Sequence, residues 1–513
     1  MKPNLLPAVS ATATTCPSRR PVAPDPVVPR RAASIFALAT LILSSALAPA
    51  LAGPAPVENY KQLKYPALPR INVPEPKRVE LANGLVVYLL EDHELPLISL
   101  SVLVRAGSRW EPIEKAGLAA ITGAVIRTGG SAAHPGDQLD DELDRLAAQV
   151  ETSIGEDSGS ATVSVLKEDI DKGLSILSDL LQRPAFPEDK IELAKIAQRD
   201  AIARRNDDPG TIADREFKRV LLGPNSAYGH QPEIQTIDAI RRDDLVAFHQ
   251  RYFQPENLIV GAWGDFNAEE MRARLEKAFG PWPRGAHPKP AAPAVEPSAA
   301  SRAGLYFIPK DDVNQSVVEM GRLAGQRSDP DYYALSLMNR VLGGGFSSRL
   351  FSQVRSVQGL AYSVESHLSA GWDRAGELIA SGGTKSATTI KIVQAMKQQI
   401  AKLAETGVTA DELASAKDAV LKGFAFEFDS TGKIVQRLMT YDYYGYPRDY
   451  LQRYQENIEK VTPADVLHAA RRYLRTDQFV ILVLGHEKDF EQPLSTLGAA
   501  TKLDLTIPKG AKP

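Results

Sequence analysis

The sequence predicts an α+β protein built from two homologous domains in tandem, and three observations carry that prediction. Short apolar, β-branched runs such as Ile98–Val104 and Leu258–Trp263 alternate with longer stretches of helical period. A segment rich in Pro and Ala interrupts the middle of the chain, where Pro281, Pro283, Pro288, Pro290, Pro293 and Pro297 favour polyproline II over a packed core. The half after that segment repeats the half before it. Arg251-Tyr252, with Gly264 twelve residues beyond the Tyr, recurs as Arg472-Tyr473 with Gly485, and Asp244 maps onto Asp465 at the same offset of 221. Phe186–Lys195 echoes Val408–Lys417 in the same order, so the repeat is a duplicated α+β unit of about 220 residues.

Length and composition agree. At about 100–200 residues per domain, 513 residues hold two to four domains. Hydrophobic residues at 43% and charged residues at 24% exclude a polytopic membrane protein, a collagen and a wholly disordered chain. With 60 Lys and Arg against 63 Asp and Glu, the net charge of −3 offers a nucleic acid no basic surface, and no nucleic-acid partner is expected.

Residues 1–52 read as a secretory signal. Lys2, Arg19, Arg20, Arg30 and Arg31 precede an apolar run over 32–51, which ends in Ala50-Leu51-Ala52, a small-x-small cleavage pattern. Ser34, Ser44, Ser45 and Pro49 make the run a poor permanent anchor, so stable membrane insertion is not expected. The one cysteine, Cys16, lies in this segment ahead of the apolar run and is no lipoprotein anchor. Cleavage near Ala52 leaves a thiol-free chain, suited to a bacterial periplasm and closed to disulfides, cysteine nucleophiles and cysteine-ligated zinc.

Residues 53–76, Pro-rich and polar, read as an N-terminal arm. The first domain then covers 77–280. Asn83-Gly84 between two apolar stretches signals a hairpin, and Ile98–Val104 a further strand. Helical patterns follow at 114–127, 136–149, 166–182 and 187–205, and Asp207-Asp208-Pro209 breaks the run. A helix at 241–253, a buried strand over 258–263 and a helix at 266–279 close the domain. The linker is 281–301, the second domain 302–495 with strand-like residues over 305–320, and 496–513 a C-terminal tail.

Several segments together carry a family resemblance: Ala106-Gly-Ser-Arg-Trp-Glu-Pro112, Gly117-Leu-Ala-Ala-Ile-Thr-Gly-Ala124, Asp208-Pro209 and Tyr228-Gly229 in the first half, then Asn314-Gln-Ser-Val-Val318, Gly343-Gly-Gly-Phe-Ser-Ser-Arg-Leu350 and Gly359-Leu-Ala-Tyr-Ser363. Over about residues 75–490 the chain resembles the pitrilysin/insulinase-type zinc metallopeptidases, which include the mitochondrial processing peptidases. The resemblance implies mixed β-sheets with helices packed on one face of each, the two domains forming half of a clamshell peptidase. It also implies zinc bound through an inverted H-x-x-E-H helix motif and a distant Glu, the motif's Glu serving as general base. Here the sequence departs. The matching positions are Ala120, Gly123 and Ala124, and the position matched to the distant Glu is Ala201, beside Asp200. None is a ligand. The eight histidines, His93, His134, His230, His249, His287, His367, His468 and His486, include no pair three to five residues apart, so no metal site is expected in this chain.

The other half of the family's active site is kept in outline. Active members use a second-domain Arg, and a Tyr seven residues later, to hold the substrate backbone and steady the oxyanion. Arg355 and Tyr362 have that spacing. Without the resemblance, Arg355 reads as an exposed helix-end cation and Tyr362 as a ring filling the core of a strand. Gly343-Gly344-Gly345 lacks the Gly-Lys-Ser/Thr ending of a phosphate loop and reads as a flexible helix terminus, which in the family helps admit peptide. Asn314 and Gln315 match a segment near the family's cleft and join the candidate substrate-binding residues, although a purely structural role fits them equally.

The resemblance therefore implies a degenerate, non-zinc subunit of a heterodimeric periplasmic metallopeptidase. It would be inactive alone, binding unfolded peptide and pairing with a homologous two-domain chain that carries H-x-x-E-H and the zinc. The alternative is a peptide-binding or structural protein without a catalytic role. A solo hydrolase with another mechanism is disfavoured, since there is neither a G-x-S-x-G elbow nor an available cysteine.

Overall fold

A computed structural model describes residues 74–295 and 302–508. The expected signal, the arm up to residue 73 and the linker's 296–301 lie outside the described residues.

Asn83-Gly84 makes the expected turn. It joins β1 (Lys77–Glu80) to β2 (Val86–Glu91) in an antiparallel pair, with Gly84 at φ +87°. The buried Asn83 amide donates to the carbonyls of Phe279 and Trp282 at 2.8 and 3.0 Å, which ties the hairpin to the end of the first half. With β3 (Leu97–Val104), β4 (Gln149–Ile154), β5 (Gly159–Leu166) and β6 (Leu258–Gly264), these strands form a sheet in the order β1-β2-β6-β3-β5-β4. Only β2 and β6 pair in parallel, so the sheet is mixed.

The second sheet comprises β7 (Gly304–Pro309), β8 (Gln315–Leu323), β9 (Ser363–Ser369), β10 (Glu377–Lys385), β11 (Val480–Gly485) and β12 (Ala500–Lys502), in the order β12-β7-β11-β8-β10-β9. Apart from the outermost strand beside β2 or β7, the two orders match position for position, and β6 and β11 are the strands related by the 221-residue offset. The helices before them, α7 (Arg242–Tyr252) and α14 (Pro463–Tyr473), carry Asp244 and Asp465 at the same position. Each carboxylate accepts the backbone N–H three residues earlier, from Arg241 and from Thr462, both at 2.8 Å. The sequence echo is thus a shared helix-start device.

The first half carries α1 (Leu118–Gly129), α2 (Gly136–Leu146), α3 (Ile170–Gln182), α4 (Glu188–Arg204), α5 (Pro209–Leu222), α6 (Ile234–Ala239), α7 (Arg242–Tyr252) and α8 (Ala268–Phe279). The second carries α9 (Tyr332–Leu342), α10 (Thr389–Thr406), α11 (Ala410–Gly423), α12 (Thr431–Tyr444), α13 (Tyr450–Lys460) and α14 (Pro463–Tyr473). One face of each sheet packs on helices of its own half: Leu100 and Val102 meet Ile121, Val125 and Leu177, while Val318 and Met320 meet Leu337, Val393 and Met396.

The central strands are apolar on both faces, so the second face also needs cover. The halves exchange helices to supply it. Ile434, Val435, Met439 and Tyr443 of α12 pack on Val86, Tyr88, Leu90 and Ile259 of the first sheet. Ile212, Ala213, Phe217 and Leu221 of α5 pack on Ile308, Val480, Leu482 and Leu484 of the second. Polar links reinforce the exchange. Asp442 accepts from Arg78 at 2.7 Å and from the Tyr88 hydroxyl at 3.0 Å. Buried Arg109 bridges Asp157 and Asp373, at 3.0 Å each.

Three local features differ from the sequence reading. The helix expected over 136–149 ends at Leu146, and β4 begins at Gln149. β4 and β5 were not foreseen because their alternating Ser, Thr and Glu weaken the apolar signal. Pro209, read as a breaker, opens α5 at its first turn, where the missing N–H costs nothing, and Asp208 caps the helix by accepting from the Thr211 N–H at 2.7 Å. Within 496–513, expected as a tail, Ala500–Lys502 forms β12 against β7 and Leu503 packs on the second sheet. Among the described residues, no helix is long and apolar enough to cross a membrane.

Candidate functional site

In the first half, α1 and α4 pack side by side and carry the four positions where the resemblance expects a metal site. Ala120 is half-buried, Gly123 buried, and Ala124 and Ala201 exposed. Leu193 and Ile196 of α4 are 58% and 49% exposed. None of the four side chains has a donor atom, and the exposed carboxylate of Asp200 stands without a histidine in its turn of helix. Backbone fills the place of the general base: a Cβ at Gly123 would lie 2.4 Å from the backbone nitrogen of Ile154. Thr152 donates to the Gly123 carbonyl at 2.6 Å, holding β4 against α1 at this distance. The residues here do not fit zinc. Among all described residues, no group of three or more His, Cys, Asp or Glu could hold a metal ion.

In the second half, α9 ends at Gly343, whose N–H bonds to the Asn339 carbonyl at 3.0 Å. Glycine is required there by close approach, because a Cβ would lie 2.1 Å from the backbone nitrogen of Ser366 in β9. Ser366 seals the contact, donating its N–H to the Gly343 carbonyl at 3.2 Å and its hydroxyl to Asn339 Oδ1 at 2.8 Å. Gly344 and Gly345 lead the chain outward to Phe346, which is 82% exposed. The chain then returns through a π-helical segment, Leu350–Val357, a geometry found often at functional sites. These parts enclose a cleft of about 580 Å³, lined by Gly343, Gly344, Gly345, Phe351, Arg355 and His367 among others.

Arg355 projects from the π-helical segment with its guanidinium carbon 4.6 Å from the Phe351 ring centre and 5.9 Å from that of Tyr362. Tyr362 is 82% exposed, so the ring does not fill the core; its N–H is fixed by the Gly383 carbonyl at 3.0 Å. The structure therefore brings Arg355, Tyr362 and the glycine loop together at one end of the second sheet. Arg355 lines the cleft, while Tyr362 stands beside Arg355 and is not part of the lining. A cation held by ring faces and an exposed phenol next to it can both donate to a carbonyl or a developing oxyanion. Asn314 and Gln315 stand at the same sheet end, where Gln315 pairs with Lys385, but they do not line the cleft.

Sequence reasoning missed Ser336, Asn339 and Arg340, which line the cleft from α9; Arg340 also donates to the Gly344 carbonyl and so shapes the glycine loop. A signal was present, for these three form a polar i, i+3, i+4 stripe on an otherwise apolar helix.

Comparison with known proteins gives two family matches. Residues 86–216 match the insulinase family (peptidase family M16), and residues 239–420 match the peptidase M16 inactive domain. An uncharacterised zinc protease of Mycobacterium leprae is 28% identical over 422 residues, 80% of this chain and 91% of that protein. A protein of Helicobacter pylori named a non-peptidase homolog is 26% identical over 410 residues, covering 78% and 91%. A peptidase M16 inactive domain from Pseudomonas fluorescens shares the fold, with a TM-score of 0.71 at 24% identity over 80% of this chain and 98% of that one. The periplasmic protease PqqL of Escherichia coli aligns at a TM-score of 0.69 and 16% identity, over 84% of this chain but 50% of its own.

Proposed function

This chain belongs to the peptidase M16 (insulinase) family as a two-domain α+β protein, and we propose that within the family it is the subunit of a heterodimeric periplasmic zinc metallopeptidase that does not itself bind zinc. The observation that carries the proposal is the contrast between the halves. The second presents Arg355 in an open cleft with the exposed Tyr362 ring beside it, while the first has no donor at the metal position and no room for the base at Gly123. We take 77–280 as the first unit and 302–495 as the second, the latter extended to include β12 beyond residue 495.

In this reading an unfolded peptide lies along the glycine loop. Arg355 holds a backbone carbonyl, and the Tyr362 hydroxyl donates to the oxygen that gains charge as the peptide bond is attacked. A homologous chain with an intact H-x-x-E-H motif supplies the zinc. The match takes up only 50% of the E. coli relative, which favours a second half facing this one. A second reading, a peptide-binding or structural protein with no catalytic role, accords in its lack of catalysis with the H. pylori relative's being named a non-peptidase homolog.

The test is metal content and cleavage of unfolded peptides by the mature chain, alone and mixed with the zinc-bearing homologue. Alone, it is expected to hold no stoichiometric zinc and to cleave nothing; the mixture is expected to cleave. One tightly bound zinc per isolated chain, with chelator-sensitive cleavage, overturns the proposal. A mixture that binds peptide but never cleaves favours the second reading.

A further inference from the structure

A second cleft of about 500 Å³ adjoins the first, and the two share Ser336, Asn339, Arg340 and Val420. Its walls come from α9, α11, α12 and α13. They are unusually aromatic: Trp372 meets Tyr441 and Tyr450, which also line the cleft, at 5.9 and 6.1 Å, and Tyr332, Phe424 and Tyr454 complete the ring surface. Into these rings the fold sets positive charge. Arg327 lies with its guanidinium carbon 4.1 Å from the Trp372 ring centre and donates to the Tyr332 hydroxyl at 2.8 Å. Among the described residues neither Arg327 nor Arg340 has a carboxylate partner, and the cleft's one acid, Glu427, is taken by Arg437. Tyr450, 7% exposed, leaves its hydroxyl without a partner in the wall. Both arginines bond, among the described residues, only to neutral oxygens, Arg327 to the Tyr332 hydroxyl and the Ala370 carbonyl and Arg340 to the Gly344 carbonyl. Their charges thus stand uncompensated beside a buried hydroxyl that lacks a partner, where a packed core almost always pairs its polar groups. Burial pushes the Tyr441, Tyr450 and Tyr454 phenols up, which keeps them protonated as donors.

We propose that this aromatic cleft is a specificity subsite for a carboxylate on the peptide bound in the adjoining cleft, with Arg327 as its principal donor and Arg340 at the boundary of the two. Arginine forks match carboxylates in two-point geometry, and flat ring walls accept the aliphatic or aromatic stem that carries the charge. A cationic ligand, the usual guest of an aromatic cage, is excluded by the unpaired guanidinium groups. The carboxylate has two sources, an acidic side chain or the chain's C-terminus. The inference rests on the peptide-binding reading above.

The experiment is fluorescence anisotropy of labelled unfolded peptides on the mature chain. Three otherwise identical peptides are compared: one with an internal Glu and an amidated end, one with Gln and a free C-terminus, and one with Gln and an amidated end. At least one carboxylate peptide is expected to bind about tenfold more tightly than the neutral one, and which of them does so identifies the source. Arg327→Gln is expected to erase the preference between the carboxylate and neutral peptides. Tyr450→Phe, which removes only a hydroxyl and keeps the packing, is expected to fold normally and to weaken the preference. Equal binding of all three peptides overturns the subsite and leaves the peptide-binding reading intact. A preference that survives both substitutions also overturns it. Absence of binding to any peptide overturns both readings.

Discussion

Gly123 and Glu319 show what single residues decide in this molecule. At Gly123 the loss of the general base is built into the backbone, because β4 occupies the space a side chain needs. Restoring the motif as Ala120→His, Gly123→Glu and Ala124→His is therefore expected to cost about 1–3 kcal/mol of stability through overpacking and to yield no tight zinc. Thermal denaturation and metal analysis of the triple variant check this; a stable protein with stoichiometric zinc contradicts it. Glu319 is 2% exposed in β8, and burial, with Asp214 beside it, pushes its carboxyl up to about 9. The folded state thus keeps a proton that the unfolded chain releases above about 4.3, so stability falls as pH rises between those values. Glu319→Gln keeps the shape and removes the titration. It is expected to flatten the pH dependence of unfolding between about pH 5 and 9 by up to about 1.4 kcal/mol per unit and to raise stability at the alkaline end. An unchanged slope would place the proton elsewhere.

Among the elements, the exchanged helices bind the two halves into one compact unit. Met439 of α12 is 2% exposed against the first sheet, so Met439→Ala is expected to cost about 2–5 kcal/mol. Unfolding should remain a single transition, since the lost contact belongs to both halves; denaturant titration followed by fluorescence tests this, and two separated transitions contradict it. The elements also show what the sequence made legible. Strands β2, β3 and β6, the Asn83-Gly84 turn and the duplication were readable because each has a local signature: an apolar run, a turn dipeptide or a capping Asp at a fixed offset. The exchange of α5 and α12 was not. An amphipathic helix displays its apolar face without naming the sheet it covers, and Pro209 read as an end when it was a beginning. The site divides in the same way. Arg355, Tyr362 and the glycine run were visible as a spaced motif, whereas Arg340 and Trp372 reach their clefts only through the packing of α9 and β9 on distant segments.

On the scale of the whole molecule, one half presents donors and the other carries no donor at Ala120, Gly123, Ala124 and Ala201, which fits the proposal that a second chain faces the cleft. On that proposal, catalysis depends on a hydroxyl and a guanidinium that this chain contributes to a zinc site in its partner. The most direct test uses the complex with the zinc-bearing homologue and compares wild type with Tyr362→Phe, measuring assembly by sedimentation and peptide cleavage by kcat. Tyr362 is 82% exposed, so the substitution leaves the fold and the packing of the chain unaltered. Removal of one oxyanion donor is expected to lower kcat by about 10²–10³, equivalent to roughly 3–4 kcal/mol, with assembly and the partner's zinc content unchanged. A complex that assembles and cleaves at near-native rate without the Tyr362 hydroxyl would contradict the account.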